Sequence, residues 1–64
     1  MKRVDLLRRL VKAARTAGVS FEIVREGGSH TVYRYGGRLV SVPRDREINE
    51  RTARSILATV GIEA

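Results

Sequence analysis

Two glycine pairs divide the middle of the chain into three segments with a strand pattern, 20–26, 29–35 and 38–43. The second pair, Gly36-Gly37, is the more restrictive one. A two-residue glycine turn joins neighbouring antiparallel strands and fixes which residues face each other across them. With Tyr35 opposite Arg38, one face of this hairpin carries mostly apolar side chains: Thr31, Tyr33, Val40 and Val42. The other face carries His30, Val32, Arg34, Leu39, Ser41 and Pro43.

The first glycine pair, Gly27-Gly28, is compatible with two registers. A two-residue loop puts Phe21 and Ile23 on the same face as His30, whereas a three-residue loop that starts at Glu26 puts them on the opposite, apolar face. We predict the three-residue turn, with a glycine at positive φ, because it gathers the apolar side chains on one side of the sheet.

An amphipathic helix is predicted on each side of the strands. The first covers residues 3–17 and ends at Gly18, with an apolar stripe of Leu7, Leu10, Val11, Ala14 and Ala17. Residues 44–48 form a charged loop. Asn49 caps a second helix over residues 50–60, which ends at Gly61 with Ile62 folded back in a Schellman motif. The apolar stripe of this helix comprises Ala53, Ile56, Leu57 and Val60.

The element order α-β-β-β-α predicts one α+β domain over residues 1–64. A three-stranded antiparallel sheet with one apolar face is covered on that face by two amphipathic helices. The opposite face, which carries His30 and Arg34, is then open to solvent or to a ligand.

Charge and composition narrow the classes of function. The 13 Lys and Arg residues against seven Asp and Glu give a net charge of +6, typical of a protein that binds a polyanion such as nucleic acid. A solvated basic surface is the alternative. The chain has no cysteine and a single histidine, so no metal or other cofactor is expected. No apolar run approaches the ~18 residues of a membrane span, so we expect a cytoplasmic protein without membrane association.

His30 is the natural candidate for proton transfer, because histidine is the side chain whose ordinary pKa lies near neutrality. RNA carries its own nucleophile, the 2′-hydroxyl. Cleavage therefore needs a base, an acid for the leaving 5′-oxygen, and cations that stabilise the phosphorane. An imidazole suits the first two roles, and Gly28 and Ser29 offer donors to a phosphate. The candidate cations are Arg25, Arg34, Arg44 and Arg46. The alternative is a simple turn followed by an ordinary surface histidine.

Several segments agree in order and spacing with a known family. They are Ala17-Gly18, Phe21–Arg25, Gly28-Ser29-His30, Tyr33-Arg34, Val40–Arg44, Thr52–Leu57 and Gly61-Ile62. Over residues 3–62 the chain resembles the HicA, or YcfA-like, toxins of bacterial and archaeal toxin–antitoxin systems. The resemblance implies a fold similar to the double-stranded-RNA-binding domain and a ribosome-independent endonuclease that cleaves mRNA. It also implies that His30 is the catalytic residue and that a HicB-type antitoxin covers it.

Two other interpretations remain open at this stage. A non-catalytic RNA-binding module would recognise RNA mainly by shape, with Arg51 and Arg54 at the start of the second helix in contact with it. An interaction module would use its basic surface to bind an acidic protein, which is compatible with the toxin interpretation when that protein is the antitoxin. No obligate homo-oligomer is expected.

Overall fold

The computed structural model describes residues 1–62 and has the predicted element order. Helix α1 spans Arg3–Ala17 and helix α2 spans Glu50–Thr59. Between them lie the three strands, β1 (Phe21–Glu26), β2 (His30–Tyr35) and β3 (Arg38–Pro43). The strands form one antiparallel sheet in the order β1-β2-β3. The predicted α+β architecture is therefore confirmed, and within residues 1–62 no helix is long and apolar enough to cross a membrane.

The register of the second hairpin is the predicted one. Tyr35 lies opposite Arg38, and His30 lies opposite Pro43 at the other end of the hairpin. Gly36 has a φ of 58°, which favours glycine, and a Cβ there would lie 3.2 Å from the Cβ of Val19. The apolar face is buried as expected, since Thr31, Tyr33, Tyr35, Val40 and Val42 are all at most 9% exposed.

The first hairpin differs from the prediction. Gly28 and Ser29 form the loop, and the Gly27 N–H donates to the His30 carbonyl oxygen across it at 2.8 Å. Positive φ angles within residues 1–62 occur at three other glycines, so the predicted three-residue turn is wrong. A β-bulge between Ile23 and Arg25 adds the extra residue within β1, whereas the prediction had placed it in the turn.

The bulge preserves the predicted faces of β1. Phe21 lies opposite Tyr35 and Ile23 lies opposite Tyr33, both on the apolar side of the sheet. The Phe21 ring stacks on the Tyr33 ring, with centroids 4.7 Å apart. Ile23 is nevertheless 55% exposed, so only the first of these two side chains joins the core.

The core lies between the two helices and the apolar sheet face. From α2 it receives Ala53, Ile56 and Leu57, as predicted. From α1 it receives Leu6, Leu10 and Ala14, so the predicted stripe is wrong in part. Leu6 and Leu7 are both apolar, and packing against the sheet selects Leu6 as the buried residue. Val11 is 39% exposed, and Ala17 is exposed.

The predicted ends of the helices are confirmed. The Asn49 side chain accepts a hydrogen bond from the Arg51 N–H at 2.8 Å and so caps α2. At the other end, the Ile62 N–H donates to the Leu57 carbonyl at 2.9 Å, which is the long hydrogen bond of a Schellman motif. Gly18 ends α1 in the left-handed conformation. These contacts satisfy backbone groups that would otherwise lack partners at helix termini.

Residues 44–48, which were predicted as a charged loop, are connected to the start of the chain by hydrogen bonds. The Met1 α-amino group donates to the Ile48 carbonyl at 2.9 Å, and the Ile48 N–H donates to the Met1 carbonyl at 2.7 Å. Ile48 is 2% exposed and belongs to the core, which the sequence analysis missed. The Met1 α-amino group also forms ion pairs with Glu47 at 2.9 Å and Glu50 at 3.2 Å.

Truncation of Leu6 tests which side of α1 is buried. Leu6→Ala removes a fully buried side chain, and we expect a loss of about 2–5 kcal/mol in the free energy of unfolding. Leu7→Ala is the matched control, and its partly buried side chain should cost less than about 2 kcal/mol. Urea denaturation measures both values, and a larger loss for Leu7→Ala would contradict this packing.

The ion pairs of the N-terminus predict a dependence of stability on pH. The hydrogen bonds that the Met1 α-amino group donates to the carboxylates of Glu47 and Glu50 raise the pKa of this group. The stabilisation is complete below the unfolded-state pKa of about 8 and is lost as the pH rises through the higher folded-state pKa. We therefore expect the melting temperature to fall as the pH rises above about 8.

The control for this prediction is the double variant Glu47→Gln, Glu50→Gln. It removes both carboxylates that favour the charged amine, so its melting temperature should vary less over the same pH range. An equal pH dependence in the two proteins would show that other groups are responsible.

Candidate functional site

His30 lies at one end of the central strand of the sheet, on the face that the helices leave uncovered. His30, the turn Gly27–Ser29 before it and its partner Pro43 are called the His30 corner below. It is the first residue of β2 and lies opposite Pro43, the last residue of β3. Its side chain is exposed. This placement follows from the register of the second hairpin, which puts the neighbouring Thr31 on the buried face. The imidazole is thus accessible, as the sequence analysis expected.

Ser29 contacts the imidazole directly. The Ser29 Oγ lies 3.1 Å from Nδ1 of His30, within hydrogen-bond distance. When Nδ1 carries the proton it donates to this oxygen, and Nε2 is then unprotonated and can accept a proton. Ser29 therefore has a contact with His30 in addition to the phosphate contact predicted for it.

The turn before His30 is closely packed on one side and open on the other. A Cβ at Gly27 would approach the His30 carbonyl oxygen to 3.1 Å, so a larger residue there would crowd the turn. Gly28 is exposed, and a Cβ added to it would meet nothing within 4 Å. The predicted RNA-contacting position Gly28 is therefore accessible to a ligand.

Arg44 lies beside this turn and contacts it twice. The Arg44 guanidinium donates through Nη1 to the Gly27 carbonyl oxygen at 2.9 Å. The backbone N–H of Arg44 donates to the Ser29 carbonyl oxygen at 3.0 Å. Of the predicted arginines, Arg44 is therefore the one that the described contacts bring directly to the His30 turn.

The other two predicted arginines of the sheet lie at different distances from His30. Arg25 lies opposite Val32, two residues along β2 from His30 and on the same face. Arg34 is on that face too, but it lies four positions further along β2 than His30, about 13 Å along the strand. Arg34 also pairs with Glu22 at 3.7 Å. Arg25 is thus the better placed of the two.

Arg54 lies in another part of the molecule. It is exposed on α2, in the helical layer that covers the sheet face opposite to His30. Arg51 is exposed one turn earlier on the same helix. The structure therefore separates the predicted binding residues into a group near His30 and a group at the start of α2.

Arg3 supports the His30 corner from the covered side, a role that the sequence analysis missed. Its Nε donates to the carbonyl oxygen of Pro43, the residue opposite His30, at 2.9 Å. Its Nη2 makes longer contacts with the Thr31 hydroxyl at 3.3 Å and the Tyr33 hydroxyl at 3.4 Å. Nothing in the sequence distinguishes Arg3 from the exposed arginines of α1, because these partners are 28 or more residues away.

The arrangement is suited to chemistry on a phosphodiester. It combines an exposed imidazole with a serine hydroxyl, an open glycine turn and nearby guanidinium groups. In the part of the chain that the structure describes, no three His, Asp or Glu side chains form a group that could hold a metal ion. The site thus offers proton transfer and electrostatic stabilisation from side chains.

Comparison with known proteins identifies the class of protein. A family profile described as the HicA toxin of bacterial toxin–antitoxin systems matches residues 7–62. The match covers most of the chain and includes both the His30 turn and α2, which defines the protein as the toxin of such a system. It belongs to the HicA toxin family, and this membership implies an antitoxin partner. No curated protein and no solved structure gave a significant match.

The support provided by Arg3 can be measured through stability. Arg3→Ala removes a hydrogen bond to Pro43 and leaves the buried Thr31 hydroxyl without this partner, so we expect a loss of about 1–3 kcal/mol in the free energy of unfolding. Lys12→Ala, which removes an exposed cation from the same helix, is the control and should change it by less than about 0.5 kcal/mol. If chemical denaturation gives equal losses in the free energy of unfolding for the two variants, the effect comes from the lost positive charge and not from the hydrogen bonds of Arg3.

Proposed function

We propose that this toxin is a metal-independent endoribonuclease that cleaves mRNA, with His30 as its catalytic residue. The observation that carries the proposal is the exposed imidazole of His30, whose Nδ1 is in contact with Ser29 while Nε2 remains for a substrate. Membership of the HicA family supports the same activity. The net charge of +6 is consistent with a polyanionic substrate.

In the proposed reaction His30 acts first as a general base. Its Nε2 removes the proton from a 2′-hydroxyl, and the 2′-oxygen attacks the adjacent phosphorus. The bond from phosphorus to the 5′-oxygen breaks, and this oxygen takes a proton from the imidazolium or from water. The products are a 2′,3′-cyclic phosphate and a 5′-hydroxyl, and no oxidant or metal ion enters the balance.

Nearby donors stabilise the negative charge that develops on the phosphorane. The backbone of Gly28 and the guanidinium of Arg25 are the groups best placed for this role. Gly28 lies in the exposed turn before His30, and Arg25 lies on the same face of the sheet as His30. Arg34 is a more distant contact, and its pairing with Glu22 reduces its net charge toward RNA. Arg54 would contact a part of the RNA remote from the cleaved bond.

The partner proposed for this surface is an HicB-type antitoxin. A protein that covers the sheet face around His30 would exclude RNA from the imidazole. It would also stabilise a domain of this size, because a ligand that binds only the folded state shifts the unfolding equilibrium. The basic surface of the toxin favours an acidic partner.

A non-catalytic RNA-binding module is the second candidate. The observation that favours it is the position of Arg51 and Arg54, which are exposed on α2 and remote from His30. Binding through these residues alone would retain RNA without cleaving it, and would weaken with added salt.

Replacement of His30 separates the two candidates. We expect His30→Ala to reduce RNA cleavage by about 10²–10⁴-fold, the usual contribution of general acid–base catalysis. The melting temperature should stay near that of the wild type because the side chain is exposed. The assay follows a synthetic RNA by gel electrophoresis in the presence of a chelator, and a 2′-deoxy substitution at the cleaved position should block the reaction.

Two results would contradict the proposed activity. One is full cleavage by a folded His30→Ala variant. The other is stoichiometric binding of intact RNA by the wild-type protein, with no cleavage over hours, which would favour the binding module.

A further inference from the structure

We propose that Arg44 is a positioning residue for His30, and that its guanidinium braces the turn that presents the imidazole. This inference rests on the proposed ribonuclease function and deepens it. It also changes the role expected for Arg44, from a phosphate contact to a structural contact within the site.

The turn that precedes His30 needs a brace because its own sequence provides little rigidity. Two of its residues are Gly27 and Gly28, and glycine gives a backbone more conformational freedom than any other residue. Across the turn, the Gly27 N–H donates to the His30 carbonyl. On its outer side, Gly28 is open to solvent. Order in this loop therefore depends on contacts from another segment.

Arg44 supplies such contacts on both sides of Gly28. Its side chain binds the Gly27 carbonyl at 2.9 Å, and its backbone N–H binds the Ser29 carbonyl at 3.0 Å. It follows Pro43, which is paired with His30, so its main chain is itself fixed by the edge of the sheet. The two hydrogen bonds thus connect a flexible loop to a rigid strand. Only the bond to Gly27 uses the side chain, so replacement of the guanidinium removes that bond and keeps the backbone bond to Ser29.

The brace reaches the imidazole through Ser29. The same residue whose carbonyl accepts from Arg44 places its Oγ 3.1 Å from Nδ1 of His30. A shift of the loop would move this hydroxyl and remove the contact that orients the ring. Displacement of a catalytic group by about 1 Å can reduce a rate by about 10²-fold, so loop order is expected to affect the chemical step.

Arginine is suited to this contact in a way that lysine is not. The guanidinium is planar, and its N–H donors point in fixed directions, whereas the lysine ammonium is a compact charge on a flexible stem. A contact that serves only to neutralise phosphate would tolerate lysine in large part. A directed hydrogen bond to the Gly27 carbonyl would not, so the Arg44→Lys variant distinguishes the two roles.

The test compares Arg44→Ala and Arg44→Lys with the wild type in RNA cleavage and in ¹⁵N relaxation. For both variants we expect kcat to fall by about tenfold or more while KM changes by less than about threefold, since the change affects positioning rather than binding. Backbone order parameters at Gly28 and Ser29 should fall from about 0.85 toward about 0.6. Melting temperatures should stay near that of the wild type, because the Arg44 side chain is exposed.

Arg46→Ala is the matched control. It removes the same charge from the same segment, and the Arg46 side chain is exposed, while its carbonyl accepts from the Arg3 N–H. We expect it to weaken RNA binding and to change the slope of the logarithm of the binding constant against the logarithm of the salt concentration by at most about one. The order of the turn should stay unchanged.

Three results would overturn the role proposed for Arg44. They are wild-type kcat in Arg44→Lys, an equal loss of order at Gly28 and Ser29 in Arg46→Ala, and unchanged order parameters at Gly28 and Ser29 in Arg44→Ala. The relaxation measurement does not depend on activity. If the wild-type protein fails to cleave RNA, the proposed function is refuted, whereas the bracing contact is still confirmed or refuted by the order of the turn.

Discussion

The two-residue turn at Gly36-Gly37 is the constraint on which the rest of the structure depends. It fixes the register of β2 and β3, and so decides which side chains face the helices. A slip of one residue would put Thr31 and Val42 on opposite faces, so either Val42 would turn outward or Thr31 would turn outward and His30 inward. The turn also packs against the connection between α1 and β1, where the Gly36 N–H donates to the Ser20 carbonyl at 2.9 Å. Burial of the core and exposure of the imidazole are therefore two consequences of one register.

The His30 corner is held from both faces of the sheet. On the open face, Ser29 and Arg44 contact the ring and its turn. On the covered face, Arg3 reaches from the start of α1 to Pro43 and Thr31. The structure around His30 therefore combines an accessible imidazole with a support that belongs to the core.

Much of the fold could be predicted from the sequence because local signals agree with one another. Helix ends follow from Asn49, Gly18 and Gly61, and the β2–β3 register follows from turn length. The bulge in β1, the choice between Leu6 and Leu7, and the burial of Ile48 depend on packing between segments distant in sequence, which periodicity does not reveal.

For the site, the sequence predicts that His30 lies on the exposed face of the sheet, but it does not predict how the arginines are distributed around His30. Arg25 and Arg44 lie near His30, whereas Arg34 pairs with Glu22 and Arg54 lies in the helical layer.

The bulge between Ile23 and Arg25 has a further consequence for how copies of this protein behave in solution. Strand β1 forms an edge of the sheet, and its exposed apolar residues Ile23 and Val24 would attract another strand. The bulge breaks the regular spacing of the outward N–H and C=O groups and increases the local twist. A second strand could not pair along the whole edge without losing hydrogen bonds at this point. Together with the exposed charged side chains of Glu22, Arg25 and Glu26, the irregularity thus protects the edge against aggregation.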